Sequence, residues 1–405
     1  MQIVVPKETQ PGETRVAASP DTVKKLVQQG HRVLVEHHAG LAATWSDEHY
    51  LAAGAEIAAD TTQLYRHAAL ILKVNQPNTH EIALYAARSV LVAQMNIHRF
   101  ESLPALAAKE IDTYALELIP RITRGQSMDV LSSQANIAGY RAVLLATHYF
   151  PRFMPMFMTA AGSVKPARVL ILGAGVAGLQ AIATAKRLGA IVEVFDVRPA
   201  TREQVESLGA KFIEVELNAE ERAAFEHTGG YAKEMSDDYK ARQSALIAQQ
   251  ATSADIIITT ALIPGKPAPV LITPETVAAM KAGSVIIDLA IGRGLNEGGP
   301  SGGNCPLSRN DEVVQSDNGV IIVGHANLPA LVATDASAMF ARNVLTFIGL
   351  LLNKEGHYAP QLDDDIIKAT LVTHAGSVYF AADQSTKAST AHTPTQHLEE
   401  SPCQA

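Results

Sequence analysis

Little in this 405-residue chain invites covalent or metal chemistry. There are two cysteines, Cys305 and Cys403, far apart in sequence and in no metal-ligand spacing. That count suits free thiols in a reducing compartment, and no metal site is expected. Long basic runs are missing and the net charge is −8, which argues against nucleic acid as a partner. The longest apolar stretch near the C-terminus, VLTFIGLLL at 344–352, has roughly half the length of a bilayer crossing. The opening MQIVVPKE shows no basic region followed by an apolar core, so no secretory signal is read. No repeat of solenoid length recurs. The expectation is a soluble, cytoplasmic chain.

What is present is globular material. Apolar residues make up 47% and charged residues 18%, and the length is too great for one ordinary core, so two domains are expected. QIVVP, HRVLVE, LILKV, SVLVA and DTYAL read as strands separated by Ala-rich helical patterns. In SPDTVKKLVQQG, Ser19 fits an N-cap, Pro20 the first helical position and Gly30 the stop. A long helix follows, with Leu131, Ala135, Ala138, Ala142, Leu145 and Tyr149 as its apolar stripe and Pro151 ending it. A second strand series runs through RVLILGAGVAG, AIVEVFDVR, KFIEV, DIIITTA, SVIIDLA and VIIVGH. A further helix is read from about Asp335 to Leu352, and the Ser-, Thr- and Gln-rich 381–405 reads as a disordered tail. The expected fold is α/β: two Rossmann-like doubly wound lobes with a cleft between them, joined by two long helices. Residues 1–130 with 335–380 form one lobe in this reading, and 131–334 the other.

The second series opens on a dinucleotide fingerprint. Gly173, Gly175 and Gly178 follow the strand Arg168–Leu172 directly and lead into a helix that Gly189 stops. Each glycine serves a distinct end. Gly173 allows the tight turn, Gly175 the close approach of a pyrophosphate, and Gly178 the close packing of helix on strand. The helix N-terminus, from Val176, offers free N–H groups to the phosphates. Asp196 ends the next strand, 23 residues after Gly173, where a carboxylate bonds both ribose hydroxyls and repels a 2′-phosphate. NAD is therefore expected over NADP, although Val197 and Arg198 follow and the arginine blunts that preference. The bland alternative is a glycine-rich turn that binds nothing.

Just before the long helix, RITRGQSMDVLSSQANIAGY (121–140) concentrates more polar groups than a helix start needs. Arg121 and Asp129 read either as ligand-facing groups or as a surface ion pair, and Ser127 reads as a candidate N-cap. Tyr140 shares a helical face with Asp129, Ser133 and Asn136.

These segments, with MQIVVPKETQPGETRVAASP, TAAGSVKPARVLILGAGVAGLQ, GGYAKEMSDDY and TALIPGKPAPVLI, resemble the NAD(H)-binding alpha subunit, or domain I, of proton-translocating nicotinamide nucleotide transhydrogenase. The likeness covers roughly residues 1–355, and alanine and saccharopine dehydrogenases share the wider fold family. The resemblance implies that Arg121, Gln126, Asp129 and Ser132 surround the nicotinamide ring, with Ser127 and Met128 between them. It also implies a mobile loop closing on the adenosine end through Gly230 and Tyr231. NADP(H) would then sit on a partner beta subunit, and a separate polypeptide would span the membrane. This chain would be a homodimer held at the inner membrane only through those partners.

The alternative is an NAD-dependent amino-acid dehydrogenase. The alanine dehydrogenase pattern uses an Arg, a Lys, a His and an Asp. Arg15 and Lys73 match the first two, but the His position falls near Met95, with His98 about three residues away, and the Asp position at about Gly292. The proton donor is thus missing, whereas hydride transfer between two nicotinamide rings needs no acid/base. Two stretches depart from the transhydrogenase pattern: VAQMNIHRFESL, and LAIGRGLNEGGPSGGNCPLS at 289–308, which is longer and richer in glycine.

Overall fold

The computed structural model describes residues 1–215, 236–263, 267–292 and 303–380. Every segment expected to be a strand is one. The first series is β1 (Gln2–Val5), β2 (Arg32–Glu36), β3 (Glu56–Ala58), β4 (Leu70–Asn75), β5 (Val90–Gln94) and β6 (Asp112–Ala115). A small hairpin, β7 (Phe157–Thr159) and β8 (Gly162–Val164), precedes the second series. That series is β9 (Arg168–Leu172), β10 (Ile191–Phe195), β11 (Lys211–Ile213), β12 (Ile256–Thr259), β13 (Val285–Asp288), β14 (Val313–Gln315) and β15 (Ile321–Val323). Last come β16 (Leu371–His374) and β17 (Ser377–Val378).

Two sheets result, ordered β17-β16-β6-β5-β4-β1-β2-β3 and β11-β10-β9-β12-β13-β15-β14. β1 to β6 pair in parallel, as do β9 to β13 and β15. β14, β16 and β17 join antiparallel at the edges. In each sheet the chain winds outward on one side, then returns to the other. The strand order therefore reverses between β1 and β4, and again between β9 and β12, the crevices where doubly wound folds bind ligands. The central strands read as unbroken apolar runs, such as IIIT and VIID, because helices cover both faces.

Helix ends follow local chemistry. Ser19 caps the helix Pro20–Gln28 in a reciprocal box with Thr22. Gly30, at φ +87°, turns the chain out of it. The long helix Val130–Tyr149 stops before Pro151 as expected, but its buried stripe runs through Val130, Gln134, Ile137, Ala138, Ala142 and Leu145. Leu131 is exposed, so the stripe is rotated from the expected one by about one residue at its start. The reason is Gln134, which is polar yet buried in a hydrogen-bond network. Asp129, not Ser127, caps this helix, accepting the Ser132 N–H at 2.8 Å.

The second long helix is Ala333–Ile348, ending four residues earlier than expected, at Gly349. Its Phe340, Val344, Phe347 and Ile348 belong to the core of the first sheet. Gly139 on the first long helix meets the helix Val176–Arg187 at Ala177 so closely that a Cβ would lie 2.1 Å from a backbone oxygen. The first long helix thus packs on the second lobe while its buried Gln134 donates to Ala336 of the second long helix. Among the described residues no helix is long and apolar enough to cross a membrane. Residues 381–405, read as a tail, lie outside the described residues.

Candidate functional site

The fingerprint turn sits at the β9/β12 crevice. Gly173 has φ +106°, and a Cβ there would meet the Thr260 hydroxyl at 2.4 Å. Gly178 lies so close under the turn that a Cβ would stand 1.9 Å from the Gly173 carbonyl oxygen. Both glycines are required by packing. Gly175 is different: its φ is −77°, and an added Cβ would touch nothing within 4 Å. Neither backbone conformation nor packing demands glycine there. What remains is open space over the N-terminus of the helix Val176–Arg187, which no side chain caps and whose first N–H groups face outward.

Asp196 closes one side of this turn. Its Oδ2 accepts the Ala174 N–H at 2.6 Å. Its Oδ1 accepts the Arg198 backbone N–H at 2.8 Å, and the Arg198 guanidinium reaches both oxygens at 2.9 Å. Burial alone would raise the carboxyl pKa, but Arg198 and the Ala174 N–H outweigh it and the pKa is lowered. A recess beside Asp196 is lined by Phe195, Val197, Pro199, Phe212, Val215 and Tyr239, with the Glu214 side chain also on its wall. Apart from Val197, those residues carry no sequence signal for a site; an aromatic at the end of an apolar strand reads as core.

The polar cluster ahead of the long helix is built on a 3-10 turn, Thr123–Met128. Gly125 lets that turn close, since a Cβ would stand 2.6 Å from the Pro120 carbonyl oxygen. Met128 is buried in the first core. From outside, Asn343 donates to the Ser127 carbonyl at 2.7 Å and Arg124 pairs with Asp364 at 2.6 Å. Asp129 accepts both the backbone N–H and the hydroxyl of Ser132, the latter at 2.6 Å. An Arg121–Asp129 pair does not form, because the Asp129 carboxylate is engaged in capping. Arg121 and Gln126 are exposed on the same loop. Gly230 and Tyr231 lie outside the described residues, as do 293–302 of the glycine-rich stretch.

At the β1/β4 crevice the picture reverses. Arg15 is buried and its guanidinium meets both oxygens of Glu13, at 2.8 and 2.6 Å, and the Gln134 side chain at 2.9 Å. Glu13 also accepts from Asn75 and Asn327 at 2.9 and 3.0 Å. Burial pushes the Glu13 carboxyl up, but Arg15 and Asn75 override it and hold it at about 2. Lys73 is buried between Glu81, at 2.7 Å, and Glu8, at 3.5 Å. Burial would lower the Lys73 ammonium pKa, but the two carboxylates raise it, and burial raises that of Glu8. Met95 is fully buried, and its N–H and that of Ile97 bond Glu117. His98 is exposed, its ring edge-on to Phe380 at 5.5 Å. The crevice holds two cations, each already matched by a carboxylate.

Residues 4–138 match the family described as alanine dehydrogenase/PNT, N-terminal domain, and 142–381 match its C-terminal domain. The chain is 50% identical over 389 residues to the first part of the NAD(P) transhydrogenase alpha subunit of Rhodospirillum rubrum, covering 94% of this chain and 98% of that one. It is 31% identical to the alanine dehydrogenase of Halomonas elongata, covering 94% and 95%. Among solved structures, the transhydrogenase of Sinorhizobium meliloti superposes with a TM-score of 0.82 at 44% identity, covering 93% and 100%. With both domain matches spanning nearly its whole described length, the chain belongs to the alanine dehydrogenase/PNT family and, within it, to the NAD(P) transhydrogenase alpha subunits.

Proposed function

We propose that this chain is the NAD(H)-binding half of a transhydrogenase, passing hydride directly to NADP⁺ held by a partner subunit, with proton movement carried out by membrane subunits. One observation carries the choice over an amino-acid dehydrogenase. At the β1/β4 crevice, Arg15 is matched by Glu13 and Lys73 by Glu81, so neither is left to bind a substrate carboxylate. Met95 and Gly292 stand where an acid/base pair would be needed. A site of this kind orients one ring and leaves its reacting face to a second protein.

The residues at the β9/β12 crevice suit the nucleotide. Gly175 leaves room for a pyrophosphate over the helix N-terminus, and the adenosine end would lie on the side of Asp196. Bound there, the nicotinamide supplies the hydride. In this reading Gln126 holds the carboxamide end without titrating, Asp129 and Ser132 fix the loop, and Arg121 faces the nucleotide. Asp196 takes the ribose hydroxyls once Arg198 is displaced from it. Gly230 and Tyr231 would close the adenosine end.

The organisation that goes with this function is the one read from sequence: 1–130 with 335–380 as one domain and 131–334 as the other. The chain would meet the inner membrane only through its partners. That its Rhodospirillum relative is named as one piece of an alpha subunit supports a divided complex. A homodimer is part of the proposal, supported by the exposed apolar run Phe153, Met156, Phe157 and Met158. The test is to mix the purified chain with a candidate NADP-binding component and follow cyclic hydride transfer between NADH and an NAD analogue. Transfer is expected with that component and not with pyruvate and ammonia alone. NADH consumption by the isolated chain with pyruvate and ammonia would overturn the reading, and transfer unchanged by Gln126→Asn and Asp129→Asn would overturn the assignment of the ring site.

A further inference from the structure

The end of β2 carries two adjacent histidines that the nucleotide chemistry does not use. Consecutive side chains of an extended strand point to opposite faces, so a His-His pair in a strand cannot share a ligand. Here the strand stops at Glu36, and His38 takes the left-handed conformation at φ +61°. That turn brings the second ring back over the first, with ring centroids 3.5 Å apart and planes inclined by 31°.

A carboxylate meets them from another element. Asp47 opens the helix Asp47–Ala52. Its Oδ2 lies 2.5 Å from His37 Nδ1, and its Oδ1 accepts the His38 backbone N–H at 2.9 Å. The Asp47 side chain is 14% exposed, so the carboxylate is held by the fold. Both rings stand open to solvent on the other side. One donor atom from each of His37, His38 and Asp47 lies within 4.8 Å of the others.

We propose that His37, His38 and Asp47 form a surface site for a zinc-like divalent transition metal. Two imidazoles and one carboxylate make a donor set suited to zinc, cobalt or nickel, with one or more coordination positions left for water. The ion would replace the His37–Asp47 hydrogen bond, releasing the shared proton to solvent. The His38 N–H bond orients the carboxylate from behind, the role that outer hydrogen bonds play in metal sites. The two ends of the loop 37–47 would be joined by the ion. That loop carries the 3-10 turn Leu41–Ala43, whose Ala43 carbonyl accepts from Thr334 of the second long helix at 3.0 Å. Metal binding would therefore stabilise the packing of this loop on that helix. Sequence alone does not reveal the site, because neighbouring histidines match no spaced ligand motif and the partner carboxylate is supplied by the fold.

The experiment is calorimetric titration of the full, metal-stripped chain with zinc chloride, alongside thermal unfolding with and without zinc. One saturable equivalent and a higher Tm are expected. His37→Ala and His38→Ala should each weaken zinc binding by about tenfold or more. Asp47→Asn keeps an acceptor for the His38 N–H while removing the charge, so it should weaken binding with the metal-free Tm little changed. Replacing the tail histidines His392 and His397 by alanine should leave the equivalent intact. The proposal is overturned if the chain takes up no saturable zinc, or if the His37→Ala/His38→Ala double variant binds it as tightly as the parent.

Discussion

The β1/β4 and β9/β12 crevices share one strand order and differ in what fills them. At β1/β4 three carboxylates and two cations converge, Arg15 pairing with Glu13 and Lys73 lying between Glu81 and Glu8. At β9/β12 a glycine turn faces open space. Doubly wound topology places a crevice at each reversal, but topology does not make a site. In the first crevice, side-chain pairing makes a joint: Glu13 and Arg15 tie the β1 loop to Asn75, Gln134 and Asn327. In the second, the turn itself is bare of side chains, and a Cβ added at Gly175 would meet nothing within 4 Å.

The contrast breaks most visibly at Arg15. If it is structural, Arg15→Met leaves Glu13 buried and unpaired, which should cost about 3–5 kcal/mol in chemical denaturation. Removing both charges, with Glu13→Gln added, should recover much of that loss. A near-neutral Arg15→Met would mean that the guanidinium is available to a substrate after all.

Acid provides a second way to sharpen it. The Glu13 carboxyl sits at about 2 against an ordinary 4.5. A depressed folded value contributes stability that is fully present above the unfolded pKa and is lost as pH falls through the folded one. Glu13 should therefore account for about 3 kcal/mol, lost between pH 4.5 and about 2. Glu8, whose pKa is raised, works in the opposite sense and loses its contribution as pH rises. The measurement is thus the difference in unfolding free energy between the parent and Glu13→Gln as a function of pH. That difference should shrink across this window, and one that stays flat would show that the Arg15 pairing is weak.

At the open crevice the two glycines should separate. In Gly178→Ala the new Cβ meets a backbone oxygen, so helix and strand must part, at a cost of about 1–3 kcal/mol. In Gly175→Ala nothing in the protein is touched, and stability should change by less than about 0.5 kcal/mol. NADH titration should nonetheless show weakened binding in both. Unchanged NADH affinity in Gly175→Ala would mean that the space is not the nucleotide's.

Much of this was legible in the sequence, for identifiable reasons. The central strands announced themselves as unbroken apolar runs, and the fingerprint as glycines between a strand and a helix. β3, β14, β16 and β17 did not, because each has only two to four residues and most are partly exposed. Arg15 and Lys73 were legible as candidates, but their partners were not. Glu8 and Glu13 lie in PKETQPGETR, a stretch of charged, Pro, Gly and Thr residues, and only the tertiary fold buries them. The rotated stripe of the long helix has the same origin, since Gln134 looks like a surface residue until Arg15 reaches it. His37 and His38 needed Asp47, ten residues on, before they meant anything.

The smallest expected effects lie in the polar cluster, where capping and ligand contact can be told apart. Asp129 accepts the Ser132 N–H and hydroxyl, so Asp129→Ala should cost about 1 kcal/mol through loss of the cap. Ser127 was the other candidate cap. Its carbonyl is held by Asn343, whereas no hydrogen bond of its hydroxyl is formed among the described residues. Ser127→Ala should therefore stay within about 0.5 kcal/mol of the parent in denaturation. The informative readout is NADH affinity. With stability unchanged, weaker binding in Ser127→Ala would place that hydroxyl on the nucleotide, beside Gln126. Unchanged binding would leave Ser127 as a backbone anchor, and the side-chain contacts of the loop to Arg121, Gln126, Asp129 and Ser132. Either result narrows what this loop contributes through its side chains.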